Sequence, residues 1–391
     1  MGTVLIIGAG GVGRVVAHKC AQDREVFSGI CLASRTLSKC QQIASEIDGD
    51  IQTATVDGDS VSSVVALIKK VGAEVLINVA SPYQNLPIME ACVQTGVHYV
   101  DTSLDDVRDR IKYDYADQLG FGPRFKEQGI TGVLSIGFDP GVVNVYCAHA
   151  QKHWFDSITS IDIIDCNGGD HGYEFATNFD PETNIREILA DVISFQDGAL
   201  QITKALETRR TFEFPGIGTR EAYLMTHEEV LSIAEFIPEV KHVRFWMTFT
   251  EKYLTHLRVL ENIGMTSIEP IPFEGGSIVP LRFLKALLPD PATLGARTRG
   301  VTCIGCVIEG QQNGEPKRVM IWNNCVHEEC FAEVQSQAVS YTTGAPAVLA
   351  ARLVCTGEWA VPGVFCPEQL DPDPFMNAIG EMGLPWQTRN E

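Results

Sequence analysis

The first apolar stretch, Thr3-Val-Leu-Ile-Ile7, is short, continuous and rich in β-branched side chains. Such a run predicts a strand buried on both faces, as in a parallel sheet. A helix over Val12 to Cys20 follows, then a second strand from Gly29 to Ala33 and a helix from Leu37 to Glu46. Ile51 to Val56 reads as a short strand, Ser60 to Val71 as a helix and Glu74 to Val79 as the fourth strand. Leu86-Pro87 opens the next helix, with proline at a tolerated early position. Gly96 to Val100 is another strand, Lys112 to Gln128 a long polar helix, and Gly132 to Ile136 a sixth strand. Strand and helix alternating in this way predict an α/β chain with an N-terminal Rossmann domain, a doubly wound parallel sheet, over residues 1–135.

After Asn144 the pattern changes. Ile158 to Ile164 and Arg244 to Phe249 read as strands, and Tyr253 to Asn262 as an amphipathic helix. Val301 to Glu309 and Lys317 to Asn323 flank Gln311-Gln-Asn-Gly314, a hairpin signal. Residues 136–335 therefore predict a second, mixed α/β domain with a largely antiparallel sheet. Ala338 to Cys355 is helical in spacing apart from Gly344 and Pro346, and is expected to return to the first sheet and cover it. Residues 336–391 would thus complete the first domain. Their final stretch, rich in proline and acidic residues, is expected to be a surface tail.

In an open parallel sheet, ligands bind beyond the carboxyl ends of the strands. Gly8, Gly10 and Gly13 follow the first strand at G-x-G-x-x-G spacing, with Gly11 and Val12 between them and a helix after them. Gly8 allows the tight turn, Gly10 the approach of a pyrophosphate, and Gly13 the approach of helix to strand. The helix N-terminus favours the anion. Ser34-Arg35-Thr36 ends the second strand, where an acid would select NAD. A hydroxyl and a guanidinium fork suit a 2′-phosphate instead, so the expected cofactor is NADPH. Ala80, Ser81, Pro82 and Tyr83 end the fourth strand on the same rim and complete the expected cofactor site.

The chain has 391 residues and a formal net charge of −20. That charge disfavours nucleic acid and anionic membranes as partners. No uninterrupted apolar stretch reads as a membrane span, and no basic segment precedes the first apolar run. Twelve cysteines then read as reduced thiols in a cytoplasmic protein. Cys303 and Cys306 form a C-x-x-C, but residues three apart in a strand face opposite ways. No metal is expected.

Candidate chemistry gathers near the rim. Asp139 precedes Pro140-Gly141 and a helix from Val142, where it could act as a proton carrier or simply cap the helix. His171 lies in the glycine-rich loop Asn167 to Gly172 and could exchange protons near neutral pH. These two are the catalytic candidates. Asp101, Glu174 and Asp180 are candidates for binding a substrate ammonium, Arg186 or Arg244 for a carboxylate, and Asp139 and His171 are also expected to contact the substrate. No covalent catalytic triad can be placed from spacing.

The glycine fingerprint, Ala33-Ser-Arg-Thr36 and Gly137-Phe-Asp-Pro-Gly141 together resemble the saccharopine dehydrogenase-like family. Asp170-His-Gly172, Phe175 to Glu187, Ala222 to Glu229, Arg244 to Phe249, Tyr253 to Met265, Gln337 to Gly344 and Asp371 to Phe375 are similar to the carboxynorspermidine synthase branch of it. The likeness spans nearly the whole chain. It implies an NADPH-dependent reductive condensation of L-aspartate β-semialdehyde with a diamine, 1,3-diaminopropane or putrescine, in polyamine biosynthesis. It also implies a homodimer built through the second domain. Saccharopine reductase chemistry, or NADP(H) binding without turnover, are the rival expectations.

Overall fold

The computed structural model describes residues 2–107 and 112–391; Met1 and residues 108–111 lie outside it. The chain begins with β1 (Gly2–Ile7), α1 (Gly11–Gln22), β2 (Phe27–Ser34), α2 (Leu37–Ser45) and β3 (Gln52–Thr55). It continues through α3 (Val61–Val71), β4 (Ala73–Asn78), α4 (Asn85–Thr95) and β5 (His98–Asp101). Two short helices, α5 (Ala116–Leu119) and α6 (Gly122–Gln128), lead into β6 (Thr131–Val133) and α7 (Val142–His153). The expected long helix from Lys112 is therefore broken. Gly120 and Gly122 flank the break, and Pro123 suits only the first turn of a new helix.

β1 is central in a wholly parallel sheet, flanked by β4 and β2. Val4 and Ile6 enter one apolar core while Leu5 and Ile7 enter another on the opposite face. That two-sided burial is why the run has no polar alternation.

The second sheet starts with β7 (Ser157–Asn167). Then come α8 (Pro181–Leu189), β8 (Val192–Gln196), β9 (Ala199–Thr203), β10 (Arg209–Phe214) and β11 (Gly218–Met225). Next are α9 (Glu229–Phe236), β12 (His242–Thr248), α10 (Glu251–Asn262), the small hairpin β13 (Ile271–Phe273) and β14 (Gly276–Ile278), and α11 (Pro280–Leu287). β15 (Val301–Gln312) and β16 (Glu315–Val326) form the expected hairpin. Asn313 and Gly314 carry its turn at φ of 55° and 81°, the paired left-handed geometry of a two-residue loop. Among the described residues only the β12–β7 pairing is parallel in this sheet; the others are antiparallel.

After α12 (His327–Val334), α13 (Ala338–Thr356) crosses back over the first sheet against α1. Gly344 sits at the crossing, where a Cβ would fall 2.9 Å from the Val15 side chain. By length and composition α13 could cross a membrane, but most of its side chains are buried inside the protein.

The expected surface tail is instead structured. β17 (Gly363–Phe365) adds a parallel edge strand to β6 in the first sheet. α14 (Pro372–Ala378) follows, and β18 (Trp386–Asn390) pairs with β16 in the second sheet. Its prolines and acids are helix-start signals. Asp371 caps α14 by accepting from the Asp373 N–H, and Pro372 takes the first turn. Phe375 stacks on Trp359 at 5.3 Å, and Ile379 and Leu384 are fully buried.

Candidate active site

A cleft of about 1210 Å³ runs from the carboxyl ends of β1, β2 and β4 to the ends of β7 and β12. At its nucleotide end the β1–α1 turn bends at Gly8, whose φ is +123° and whose N–H donates to the Ala33 carbonyl at 2.9 Å. Gly10 faces open space: an added Cβ would meet nothing within 4 Å. Gly13 has no such room, because its Cβ would lie 2.0 Å from the Gly8 carbonyl oxygen. Gly10 caps α1 without a side-chain bond, so the first-turn N–H groups are free of a side-chain acceptor.

Gly8, Gly10, Gly11, Val12, Ser34, Arg35, Thr36, Ala80, Ser81, Pro82 and Tyr83 all line the cleft, whereas Gly13 lies behind it as packing. The Thr36 N–H donates to Ser34 Oγ at 3.1 Å and shapes the turn after β2. Arg35 is exposed there and makes no hydrogen bond or ion pair among the described residues. Open space at the helix N-terminus and an unengaged guanidinium beyond β2 fit a dinucleotide carrying a 2′-phosphate.

Of the chemical candidates, Asp139, His171 and Arg186 line the cleft and Asp101 and Glu174 do not. Asp101 is buried beneath the rim. It accepts from the Ser135 N–H at 2.6 Å, Tyr99 Oη at 2.8 Å and Gln118 Nε2 at 2.7 Å. Burial still pushes its carboxyl up to about 7. It braces the ends of β5 and β6 rather than meeting a ligand. Glu174 points to solvent and pairs with Lys252 at 2.9 Å. Arg186 reaches from α8 to Tyr83 Oη at 2.5 Å and Asp106 Oδ2 at 3.2 Å, so it already bridges the two cleft walls.

Asp139 does not cap the helix after it. Gly141 occupies the N-cap of α7, and its N–H donates to Asn144 Oδ1 at 2.9 Å. The Asp139 carboxyl turns into the cleft floor, where Oδ2 is buried without a hydrogen-bond partner. Burial and the neighbouring Asp165 at the end of β7 raise its proton affinity, and burial together with Glu229 pushes Asp165 up to about 7. His227 stands beside them, stacked on Phe245 at 4.0 Å and bonded through Nδ1 to Glu229 Oε2 at 2.5 Å. Burial opposes its charge, but Glu229, Asp139 and Glu187 outweigh it and push His227 up to about 10.

Two further acids face this floor. Burial pushes Glu187 up to about 7 and Glu228 up to about 8. Glu228 accepts from the Leu104 N–H at 2.5 Å. His171 lies higher on the wall, accepting from the Tyr173 N–H at 3.1 Å, and burial lowers its pKa so that it is neutral near pH 7. The arrangement is an imidazolium ringed by carboxyls whose proton affinities are raised toward neutral pH, at the far end of a nucleotide cleft. It can take a proton from one group and return one to another without water.

Sequence reasoning missed Asp165, Glu187, His227 and Glu228. The signal was present at His227-Glu228-Glu229, three ionisable residues one position beyond the buried end of β11. Asp165 interrupts the apolar run of β7 in the same way. Cys303 and Cys306 do face opposite ways, since they enter different cores on the two sides of β15.

Residues 4–133 match the model of the saccharopine dehydrogenase NADP binding domain, and residues 137–384 that of the saccharopine dehydrogenase C-terminal domain. Carboxyaminopropylagmatine dehydrogenase of Synechocystis sp. is 51% identical over 99% of this chain and 97% of its own length. Carboxynorspermidine synthase of Vibrio alginolyticus is 45% identical over 99% of this chain and 96% of its own length. A solved structure of apo saccharopine dehydrogenase (L-Glu forming) from Saccharomyces cerevisiae has the same fold, with a TM-score of 0.74 over 100% of both chains at 15% identity. The chain therefore belongs to the saccharopine dehydrogenase family and is one of its NADP(H)-dependent enzymes.

Proposed function

We propose that this enzyme condenses L-aspartate β-semialdehyde with an amine that carries a second cationic group, and reduces the product with NADPH. The observation that carries the reading is the proton-holding cleft floor, Asp139, Asp165, Glu187 and Glu228 around His227, set opposite an NADP site. The names of the relatives, carboxynorspermidine synthase and carboxyaminopropylagmatine dehydrogenase, support an amine of the diamine or agmatine class.

An aldehyde and an amine lose water to give an imine. NADPH, when bound, supplies the hydride that reduces the C=N carbon. The protein's own part is to orient the reactants and to move protons. The charged member of the Asp139–Asp165 pair accepts the proton that the incoming ammonium must lose before its nitrogen can attack. The protonated member returns one to the departing hydroxyl. His227, held cationic by Glu229, keeps the pair from both becoming neutral. Glu187 and Glu228, whose ionisation an arriving ammonium would favour, receive the amine's far end, and Arg186 faces the semialdehyde carboxylate. His171 shields the reacting end from solvent. In this reading residues 1–135, completed from 336–391, hold the nucleotide. Residues 136–335 hold the amine and the dimer contact.

The test follows NADPH absorbance with each substrate alone and together. Oxidation is expected only with the semialdehyde and a diamine or agmatine both present, since neither alone offers a C=N bond. Mass spectrometry should find a single carboxylated adduct. Equal oxidation with glutamate as amine donor would move the assignment to saccharopine chemistry. Binding of NADPH without oxidation by any pair would remove the enzymatic reading.

A further inference from the structure

Arg35 does not stand alone at the nucleotide rim. Lys39, in the first turn of α2, lines the cleft beside Ser34, Arg35 and Thr36. Long side chains on a helix lean toward its N-terminus, so the Lys39 stem carries its ammonium back toward the turn after β2. In this fold that turn is where the 2′-position of the adenosine ribose is read. The ammonium is not idle: it reaches Asp290 Oδ2 on the opposite wall at 3.2 Å. Asp290 belongs to the segment between α11 and β15. It is fixed in place because its other oxygen accepts from the Ala292 N–H at 3.0 Å, capping the short turn Pro291–Thr293.

Lys39 and Asp290 are 54% and 50% exposed, so their single contact is hydrated and easily exchanged. A phosphate dianion between Lys39 and the unengaged Arg35 is a stronger competitor than one exposed carboxylate. We infer that Lys39 is a second receptor for the 2′-phosphate of NADPH and that Asp290 is its place-holder, giving up the ammonium when the phosphate arrives. The inference rests on the NADP(H) site at Ser34-Arg35-Thr36. Asp290 then tunes cofactor choice from the far wall: it competes only with a ligand that needs Lys39, so it penalises NADPH and leaves NADH alone. It also makes phosphate binding release one tie between the two walls.

The experiment measures dissociation constants of NADPH and NADH by nucleotide fluorescence for Lys39→Met, Asp290→Asn and the double variant. Lys39→Met should weaken NADPH about tenfold, the loss of one charge-assisted contact, with NADH within about twofold. Asp290→Asn should tighten NADPH by about two- to fivefold, the removal of a weak surface competitor, with NADH unchanged. In the Lys39→Met background Asp290→Asn should do nothing. Both single variants weakening both cofactors alike would mean that the pair merely ties the walls together, and would overturn the inference. No change in either variant would overturn it too. A wild-type protein with no preference for NADPH over NADH would instead sink the underlying reading of the Arg35 turn, an outcome distinct from the other two.

Discussion

Replacing Gly13 and Gly10 by alanine, one at a time, separates the two jobs of the glycine turn. At Gly13 the new Cβ would sit 2.0 Å from the Gly8 carbonyl oxygen and 2.8 Å from its carbon. Both obstacles are backbone, so no side chain can swing aside. Helix α1 must move off β1 by about 1 Å, and overpacking of this kind costs roughly 2–3 kcal/mol. In a unit of this size that corresponds to a fall in Tm of roughly 5–10 °C. At Gly10 the new Cβ meets nothing within 4 Å, and the backbone, at φ −94° and ψ −162°, is one that alanine adopts freely. Gly10→Ala should hold Tm within about 1 °C, as surface changes usually do. It should still weaken NADPH about tenfold or more, or roughly 1.4 kcal/mol, because the methyl fills the space left for the pyrophosphate. Calorimetry of the free proteins and fluorescence titration with NADPH give both quantities. Wild-type affinity in Gly10→Ala would refute the placement of the pyrophosphate. An unchanged Tm in Gly13→Ala would refute the packing argument.

Arg35→Ala should weaken NADPH by about 1–3 kcal/mol while sparing NADH; equal losses in titrations of both would show that Arg35 does not read the phosphate. Asp139→Asn should lower turnover with NADPH affinity kept, and His171→Ala should lower it less; wild-type turnover in both would remove Asp139 from the proton path and His171 from the reacting end. Burial pushes Asp101, Glu187 and Glu368 up to about 7 and Glu228 up to about 8, so the folded chain holds more protons than the unfolded one above about pH 4.5, and stability should fall as pH rises toward 8. His227, raised to about 10, acts in the same sense, its contribution complete below about pH 6.5 and lost by pH 10. Tm should therefore be higher near pH 5.5 than near pH 8.5, and a Tm that climbs across that range would contradict these assignments. Light scattering should give twice the 42.8 kDa chain mass, and a clean monomer at micromolar concentration would exclude the dimer.

The nucleotide end was legible because its chemistry is local. The glycine spacing, the strand before it and the Ser34-Arg35-Thr36 turn all lie within a few residues of one another, and parallel-sheet geometry then fixes which end of each strand meets the ligand. The acidic cleft floor was not legible, because Asp139, Asp165, Glu187 and His227 come from four separate segments. The pairing of β7 with β12, and the shared core into which Ile185 and Ile188 of α8 pack, bring those together. Asp101 misled for the opposite reason. A strand-end aspartate reads as a rim ligand, but the side chains of Tyr99 and Gln118, invisible as partners in the sequence, draw it inward. The last segment misled because Asp-Pro pairs mark helix starts as readily as loops, and only the burial of Phe375, Ile379 and Leu384 decides between them.

That last segment also sets an order of events during synthesis. β6 lies beside β5 on one edge only until β17 arrives, since Thr131 pairs with Gly363 and Val133 with Phe365. β16 likewise waits for β18, with Asn323 facing Trp386. While the chain is still on the ribosome, the borders of the two sheets are therefore β6 and β16, strands that lie inside the sheets of the finished fold. Strand edges of this kind are templates for pairing with other chains. The nascent protein leaves β6 and β16 uncovered until the segment beyond Gly363 has emerged, and a nonsense lesion there would remove the border strand of both sheets at once.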